Sequence, residues 1–165
     1  MKARLFNGRD VLALFGIIAT IFLFARPVLP VFAQEVTSVG VYASASVEIG
    51  AQVAVDVEIQ NVENLFGYEM TLHFDPALLS VDDADPSNAG VQVLMGSFLS
   101  GGLVWFNSVD LTEGTAQVVV VLFGTDKDPV SGSGTLFTVL FRGLEDGISP
   151  LTFSDLTLTD RDGFE

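Results

Sequence analysis

The sequence contains no cysteine and a single histidine, His73. Without cysteine there is no disulfide, thiolate metal site or thiol nucleophile, so a folded domain must be stabilised by its core alone. One imidazole cannot supply a zinc site or triad that needs several, and His73 is interpreted as an exposed strand residue. No glycine-rich phosphate loop lies between a strand and a helix. We therefore expect no catalytic residue, no metal site, no cofactor and no enzymatic activity.

Basic residues are scarce, with seven Lys and Arg against 21 Asp and Glu. Four of the seven precede residue 34, around an apolar stretch at residues 11–25. A lipid-spanning helix needs about 18 to 20 apolar residues, so this stretch of 15 is too short and is typical of a secretory signal peptide. We predict a signal peptide over residues 1–33, cleaved after Ala33. The protein is then secreted, extracellular or at the cell surface, with no membrane span after cleavage.

Removal of residues 1–33 leaves three basic and 20 acidic residues, which gives a net charge of −17. Such a surface repels phosphate backbones, because nucleic-acid binding requires a basic footprint. Nucleic acid is therefore excluded as a partner. The acidity itself is interpreted as a contribution to solubility outside the cell, since net charge speaks to solubility rather than fold.

Short apolar runs separated by Gly, Asn, Asp and Pro clusters indicate an all-β protein. The apolar residues 53, 55, 57 and 59 alternate with Ala54 and with the polar residues 56, 58 and 60, which predicts a strand with one buried and one solvated face. Residues 65–74 repeat this pattern, and Pro76 follows, with one short helical turn expected at residues 75–79. Residues 118–123 are apolar throughout, which predicts a central strand covered on both faces. The predicted strands are residues 38–45, 51–60, 65–74, 79–82, 103–108, 116–123, 135–142 and 150–159.

Three segments in order resemble the cohesin module of extracellular polysaccharide-degrading assemblies. They are Val47-Glu48-Ile49-Gly50 followed by Val53-x-Val55-x-Val57, Val62-x-Asn64-Leu65-Phe66-Gly67-Tyr68-x-Met70-x-Leu72-x-Phe74-Asp75-Pro76-x-Leu78-Leu79-x-Val81, and Gly134-Thr135-Leu136-Phe137-x-Val139-x-Phe141. The resemblance implies a two-sheet β-sandwich with jelly-roll topology and about eight strands. We assign this domain to residues 34–165. Modules of this kind continue into a last strand that pairs with the first, and this one is expected to lack it.

The resemblance also implies the partner, a dockerin-like module that carries its own calcium, and the face that binds it. That face uses the outward side of the strand before Asp75-Pro76 and of the strand at residues 103–108. If Val104 and Phe106 point to the core, the partner-binding residues are Gly67, Glu69, Thr71, His73, Leu103, Trp105 and Asn107. Many dockerin-binding members carry Asn where this chain has Gly67. Trp105 has two interpretations at this point, an exposed interface anchor or a residue of the core.

Two other functions fit a sandwich of this size. A carbohydrate-binding module is one, although the mature chain offers only Trp105, Tyr42 and Tyr68 as Trp or Tyr platforms. A structural tile of a surface layer or adhesin is the other. The segment Asp160-Arg161-Asp162-Gly163 contains part of a calcium-loop pattern, but it lacks the remaining ligands and the closing Glu, so we predict a turn.

Overall fold

The computed structural model describes residues 36–43, 46–124 and 126–163, and the predicted signal peptide lies outside these residues. The described chain forms two antiparallel sheets that pack as the predicted β-sandwich. The strands are β1 Ser38–Ala43, β2 Gln52–Leu65, β3 Gly67–His73, β4 Leu79–Val81, β5 Leu94–Met95, β6 Leu103–Asp110, β7 Thr115–Val121, β8 Val130–Gly143 and β9 Thr152–Thr159.

The five-stranded sheet has the order β1-β2-β8-β4, with β5 also pairing with β8. The four-stranded sheet has the order β6-β7-β3-β9. Among the described residues no helix is long and apolar enough to cross a membrane. Strand β5 is missing from the sequence prediction, because two residues are too short to show an alternating pattern.

The core lies between the sheets and follows the predicted alternation. From β2 the buried side chains include Val55, Val57 and Ile59, and from β3 they include Met70 and Leu72. Strands β7 and β8 add further buried apolar side chains from the two sheets, including Val118, Val120, Phe137, Val139 and Phe141. Each fully buried side chain of this size contributes roughly 1.5–3 kcal/mol through removal from water, which replaces the missing disulfides as the source of stability.

The chain turns at Asp75 as the sequence predicts. The Leu79 amide donates to the Asp75 carbonyl over 2.9 Å, which closes a single helical turn. The Asp75 carboxylate accepts the Ala77 amide, also over 2.9 Å. A second turn follows Asp160, whose carboxylate accepts the amides of Asp162 and Gly163. Both segments are turns held by an aspartate, which is a common role of this residue.

The prediction for residues 118–123 is wrong in one respect. Strand β7 does lie between two neighbours, β6 and β3, but only alternate side chains are buried. Val119 and Val121 are half-buried on the outer face, and Phe123 beyond the strand end is 76% exposed. Apolar residues on both sides of a strand therefore do not mean here that both sides are covered by this chain.

Candidate functional site

The outer face of the four-stranded sheet is built in rows across its strands. In the central row, β6 contributes Phe106, β7 Val119, β3 Glu69 and β9 Thr157, in that order across the sheet. The row on one side contains Leu103, Val121, Gly67 and Thr159, and the row on the other contains Ser108, Gln117, Thr71 and Ser154. Most of the predicted partner-binding residues therefore share one surface.

The residues of β3 point inward and outward as predicted, but not all of the outward-facing residues are exposed. Tyr68, Met70 and Leu72 point inward and are buried, so the alternate residues face outward. Of these, Glu69 and His73 are half-buried, whereas Gly67 and Thr71 are buried. The expectation that Gly67 and Thr71 are open to a partner is therefore wrong. His73 is engaged as well, since its Nε2 lies 2.7 Å from the Ser154 hydroxyl.

Gly67 has a structural role that its sequence position does not reveal. A Cβ atom at this position would lie 2.8 Å from the Thr159 hydroxyl and 2.9 Å from the Val120 carbonyl oxygen. Contacts this short require backbone or neighbouring atoms to move. The absence of a side chain at Gly67 is thus set by the close packing of β7, β3 and β9.

Strand β6 contains a β-bulge at Trp105 that changes the predicted facing of its residues. Val104 pairs with the inward-facing Val120, yet Phe106 pairs with the outward-facing Val119, so the register shifts between them. Val104 is nevertheless 42% exposed, so the expectation that it belongs to the core is wrong. The extra residue places Phe106 on the outer face instead of in the core, as bulges do when they re-aim side chains. Trp105 is 74% exposed, so the interpretation of Trp105 as a core residue is wrong.

Asn107 does not lie on the outer face, contrary to the expectation from strict alternation. Its amide oxygen accepts the Val93 N–H over 3.0 Å, and its amide nitrogen donates to the Val93 carbonyl over 2.9 Å. In the register it pairs with Val118, whose side chain is buried in the core. Asn107 therefore holds the segment that precedes β5, and its amide is engaged by the backbone of Val93.

Exposed apolar side chains are concentrated on β6, an edge strand of this sheet, and just beyond the end of β7. We call Leu103, Trp105, Phe106 and Phe123 the apolar strip. Leu103 and Phe106 are 46% and 43% exposed, and Trp105 and Phe123 are more exposed still. Exposed aromatic side chains that are clustered with other apolar groups are the usual anchors of protein interfaces. Leu103 and Trp105 were expected at this surface, whereas Phe106 was missed because the bulge is not visible in an all-apolar run.

The charged groups of this face are few. Glu69 lies in its central row, while Asp110 stands opposite Thr115 at the end of the face. The Asp110 carboxylate accepts the backbone amides of Glu113 and Thr112, which hold its pKa below the ordinary value. Beneath the face, burial raises the pKa of Tyr68, whose hydroxyl donates to the Leu136 carbonyl. Tyr68 is therefore a neutral hydrogen-bonded core residue.

A cleft of about 400 Å³ opens at one end of the sandwich, away from the apolar strip. Its walls include the core residue Phe141 and the partly buried Val53, and Glu145 and Asp146 also line it. Among the described residues there is no group of three or more His, Asp or Glu side chains that could hold a metal ion. The cleft thus has an apolar wall with carboxylates, and it contains no histidine.

A family model of the cohesin domain matches residues 41–163, so the chain belongs to the cohesin family. No curated protein sequence matches the chain significantly.

Solved structures agree with this fold. A type II cohesin domain from the cellulosome of Acetivibrio cellulolyticus aligns with a TM-score of 0.65 and 19% identity, over 78% of this chain and 86% of that chain. A type II cohesin–X–dockerin complex from the same organism aligns with a TM-score of 0.61 and 16% identity, over 77% of this chain and 89% of that chain. A non-cellulosomal cohesin from the archaeon Archaeoglobus fulgidus aligns with a TM-score of 0.58 and 23% identity, over 78% of this chain and 80% of that chain. At these identities the structures establish the fold alone.

Proposed function

We propose that this chain is a non-catalytic binding module that recruits a dockerin-type protein outside the cell. The docking surface is the outer face of the four-stranded sheet, with the apolar strip as its anchor. The observation that carries the proposal is the cluster of exposed Leu103, Trp105, Phe106 and Phe123 on a protein whose family includes a dockerin-bound member. Burial of such a cluster by a partner supplies the main part of a binding free energy.

The arrangement of the face supports a role in binding rather than catalysis. Its strands hold the side chains on a rigid surface, and the residues that face outward are mostly apolar or carry hydroxyl groups. His73 and Ser154 are in contact, but Ser154 donates to Asp155, so the histidine does not stand between the serine and the carboxylate as in a catalytic triad. We therefore propose that the chain has no enzymatic activity.

The proposed setting is a secreted or cell-surface assembly that degrades polysaccharide. Support comes from the signal-peptide pattern at residues 1–33 and from the cellulosomal origin of the type II cohesins with which the chain shares its fold. The proposed partner carries the calcium, as the cohesin resemblance implies. We also keep residues 34–165 as the proposed domain.

Titration of the chain with dockerin modules, in calcium and then in excess chelator, tests this function. We expect one or more dockerins to bind, and chelation to abolish the complex. Trp105→Ala is expected to weaken binding by about 2 kcal/mol or more, because it removes the most exposed large apolar side chain of β6. Tyr42→Ala is the matched control, since Tyr42 is an exposed aromatic residue of β1 in the other sheet. Failure of every dockerin to bind, or equal loss in both variants, would contradict the proposal.

The exposed rings of Trp105, Phe106 and Phe123 also favour one alternative, the binding of polysaccharide by the same strip. Aromatic rings stack on sugar rings as well as on protein side chains. Retention of the chain on insoluble cellulose or chitin, lost in Trp105→Ala and kept in Tyr42→Ala, would establish this alternative in place of dockerin binding.

A further inference from the structure

The cleft at the end of the sandwich has the size and the lining of a binding site. Its volume of about 400 Å³ lies within the range of about 300–1,000 Å³ that is usual for ligand sites. An apolar cavity of about 150 Å³ already holds one benzene-sized group, so this cleft has room for two apolar side chains. The apolar part of its wall consists of Val53, Val55, Leu78, Leu79, Phe141 and Leu151. No residue of the apolar strip lines the cleft, which is therefore a separate surface.

The loop between β8 and β9 forms one side of the cleft and is anchored at both ends. The Leu144 amide donates to the Leu78 carbonyl over 2.8 Å. The Asp75 amide donates to the Ser149 hydroxyl, also over 2.8 Å. Between these bonds, a Cβ at Gly147 would lie 2.7 Å from the Leu78 Cδ1, so the loop packs closely on the turn that follows β3. The cleft is thus formed before anything binds, which lowers the entropic cost of binding.

Two carboxylates lie where the cleft opens to solvent. Glu145 and Asp146 both line the cleft, and both are exposed. Neither of the two ion pairs of the described residues involves them. The net charge of −17 that follows removal of residues 1–33 adds a long-range attraction for basic molecules. The complementary ligand therefore carries a positive charge next to its apolar groups.

Apolar side chains continue outside the cleft. Ile148 lines the cleft and is 92% exposed, and Ile49 is 60% exposed and pairs with Gly143, which also lines it. A small molecule inside the cleft leaves these side chains in water, whereas a polypeptide covers both the cleft and its surroundings. A second copy of this chain is a poor match, because only three basic residues follow residue 33 and two of them take part in ion pairs.

We infer that the cleft binds a basic polypeptide segment of a second partner protein. The segment places two neighbouring apolar side chains in the cleft and a lysine or arginine beside Glu145 and Asp146. The apolar groups provide most of the binding free energy, and the carboxylates select a basic segment over an acidic one. The inference goes beyond the proposed function, because the cleft and the apolar strip share no residue and two proteins can be held at once.

The first test titrates the isotope-labelled chain with the capped peptide Lys-Leu-Phe-Lys and follows the NMR spectrum. We expect resonances of Val53, Leu79 and Ile148 to shift and those of Trp105 to stay unchanged. The control peptides Lys-Ala-Ala-Lys and Glu-Leu-Phe-Glu are each expected to bind at least about tenfold more weakly, since one lacks the large apolar groups and the other the positive charge. Unshifted cleft residues, or equal binding by either control, would overturn the inference. Equally tight binding of phenethylamine would also overturn it, in favour of a site for small amines.

The second test compares the double variant Glu145→Gln/Asp146→Asn with the matched control Glu63→Gln/Asp162→Asn. All four carboxylates are exposed and both variants lose two negative charges, but Glu63 and Asp162 do not line the cleft. We expect the first variant to bind Lys-Leu-Phe-Lys about three- to tenfold more weakly, and the control to lose less than about twofold. Equal losses would show attraction by overall charge alone and would contradict a site at the cleft.

The third test concerns the apolar side chains outside the cleft. Ile148→Ser is compared with Val36→Ser, because both side chains are exposed, by 92% and 77%, and only Ile148 lines the cleft. We expect both variants to keep their melting temperature and only Ile148→Ser to lose peptide affinity, by about threefold. Equal affinity in the two variants would contradict a polypeptide that covers this loop. Trp105→Ala should leave peptide binding unchanged, so that a failure of this inference and a failure of dockerin binding can be told apart.

Discussion

The two sheets present opposite kinds of outer face. On the five-stranded sheet, polar side chains bond to one another: the Arg142 guanidinium to Asp82, the Thr138 hydroxyl to Asp56, and the Gln60 amide to the Tyr42 hydroxyl. On the four-stranded sheet, the apolar strip is exposed and Glu69 stands apart from both described ion pairs. Both faces arise from the same alternation of side chains. This difference is the one expected if the chain satisfies the polar groups of one face by itself and the proposed partner covers the other face.

The largest expected effect comes from closing the space at Gly67 in the four-stranded sheet. Gly67→Asn introduces the residue found in many dockerin-binding cohesins, yet its Cβ would collide with the Thr159 hydroxyl and the Val120 carbonyl. We expect a loss of about 2–3 kcal/mol in the free energy of unfolding, measured by denaturant titration. Gly50→Asn is the control without a collision, because a Cβ at Gly50 meets nothing within 4 Å. Its positive φ strains any side chain, but asparagine adopts this conformation more readily than most residues, so the loss should be clearly smaller than at Gly67. A neutral Gly67→Asn would show that β3 is less tightly packed than described.

A smaller loss is expected for Asn107→Ala, which tests the corrected facing of β6. The variant leaves the Val93 amide and carbonyl without their side-chain partner, at a cost of about 1–2 kcal/mol in unfolding free energy. Dockerin affinity is expected to stay unchanged, because Asn107 faces away from the outer surface. Ser108→Ala, one residue further and outward-facing, is the control and should leave stability unchanged. Reduced binding without reduced stability in Asn107→Ala would restore the original interpretation.

The smallest expected effect concerns the five-stranded sheet, where the side chains of Asp82 and Arg142 bond to each other. Hydrogen bonding by Arg142, supported by its charge and by Gln52, lowers the pKa of Asp82 below its ordinary value despite some desolvation. A lowered pKa in the folded state means that ionised Asp82 stabilises the fold above its unfolded pKa, and that this stability is lost as pH falls through the folded pKa. Asp82→Asn should thus lower the melting temperature slightly at pH 7. The difference should disappear in acid. An equal difference at both pH values would contradict this account.

Much of the sandwich could be predicted from alternation, because a period of two in strands such as β2 and β3 reports directly which side chains are buried. The residues of the candidate site were harder to predict from the sequence, for two physical reasons. The run Leu103-Val104-Trp105-Phe106 is apolar on both sides, so no polar residue marks the bulge. The burial of Gly67 depends on Thr159, which is distant in sequence and is brought near by the pairing of β3 with β9. Contacts between distant strands do not appear in a local pattern.

The bulge at Trp105 also bears on self-association of the molecule through the edge of its sheet. Strand β6 is an edge strand of its sheet. A regular apolar edge strand can pair with a strand of another molecule and so extend the sheet. An inserted residue interrupts the spacing of amides and carbonyls that such growth requires. The bulge therefore allows Trp105 and Phe106 to be exposed next to each other at the edge of the sheet. It also opposes the edge-to-edge aggregation that an exposed apolar strand otherwise favours.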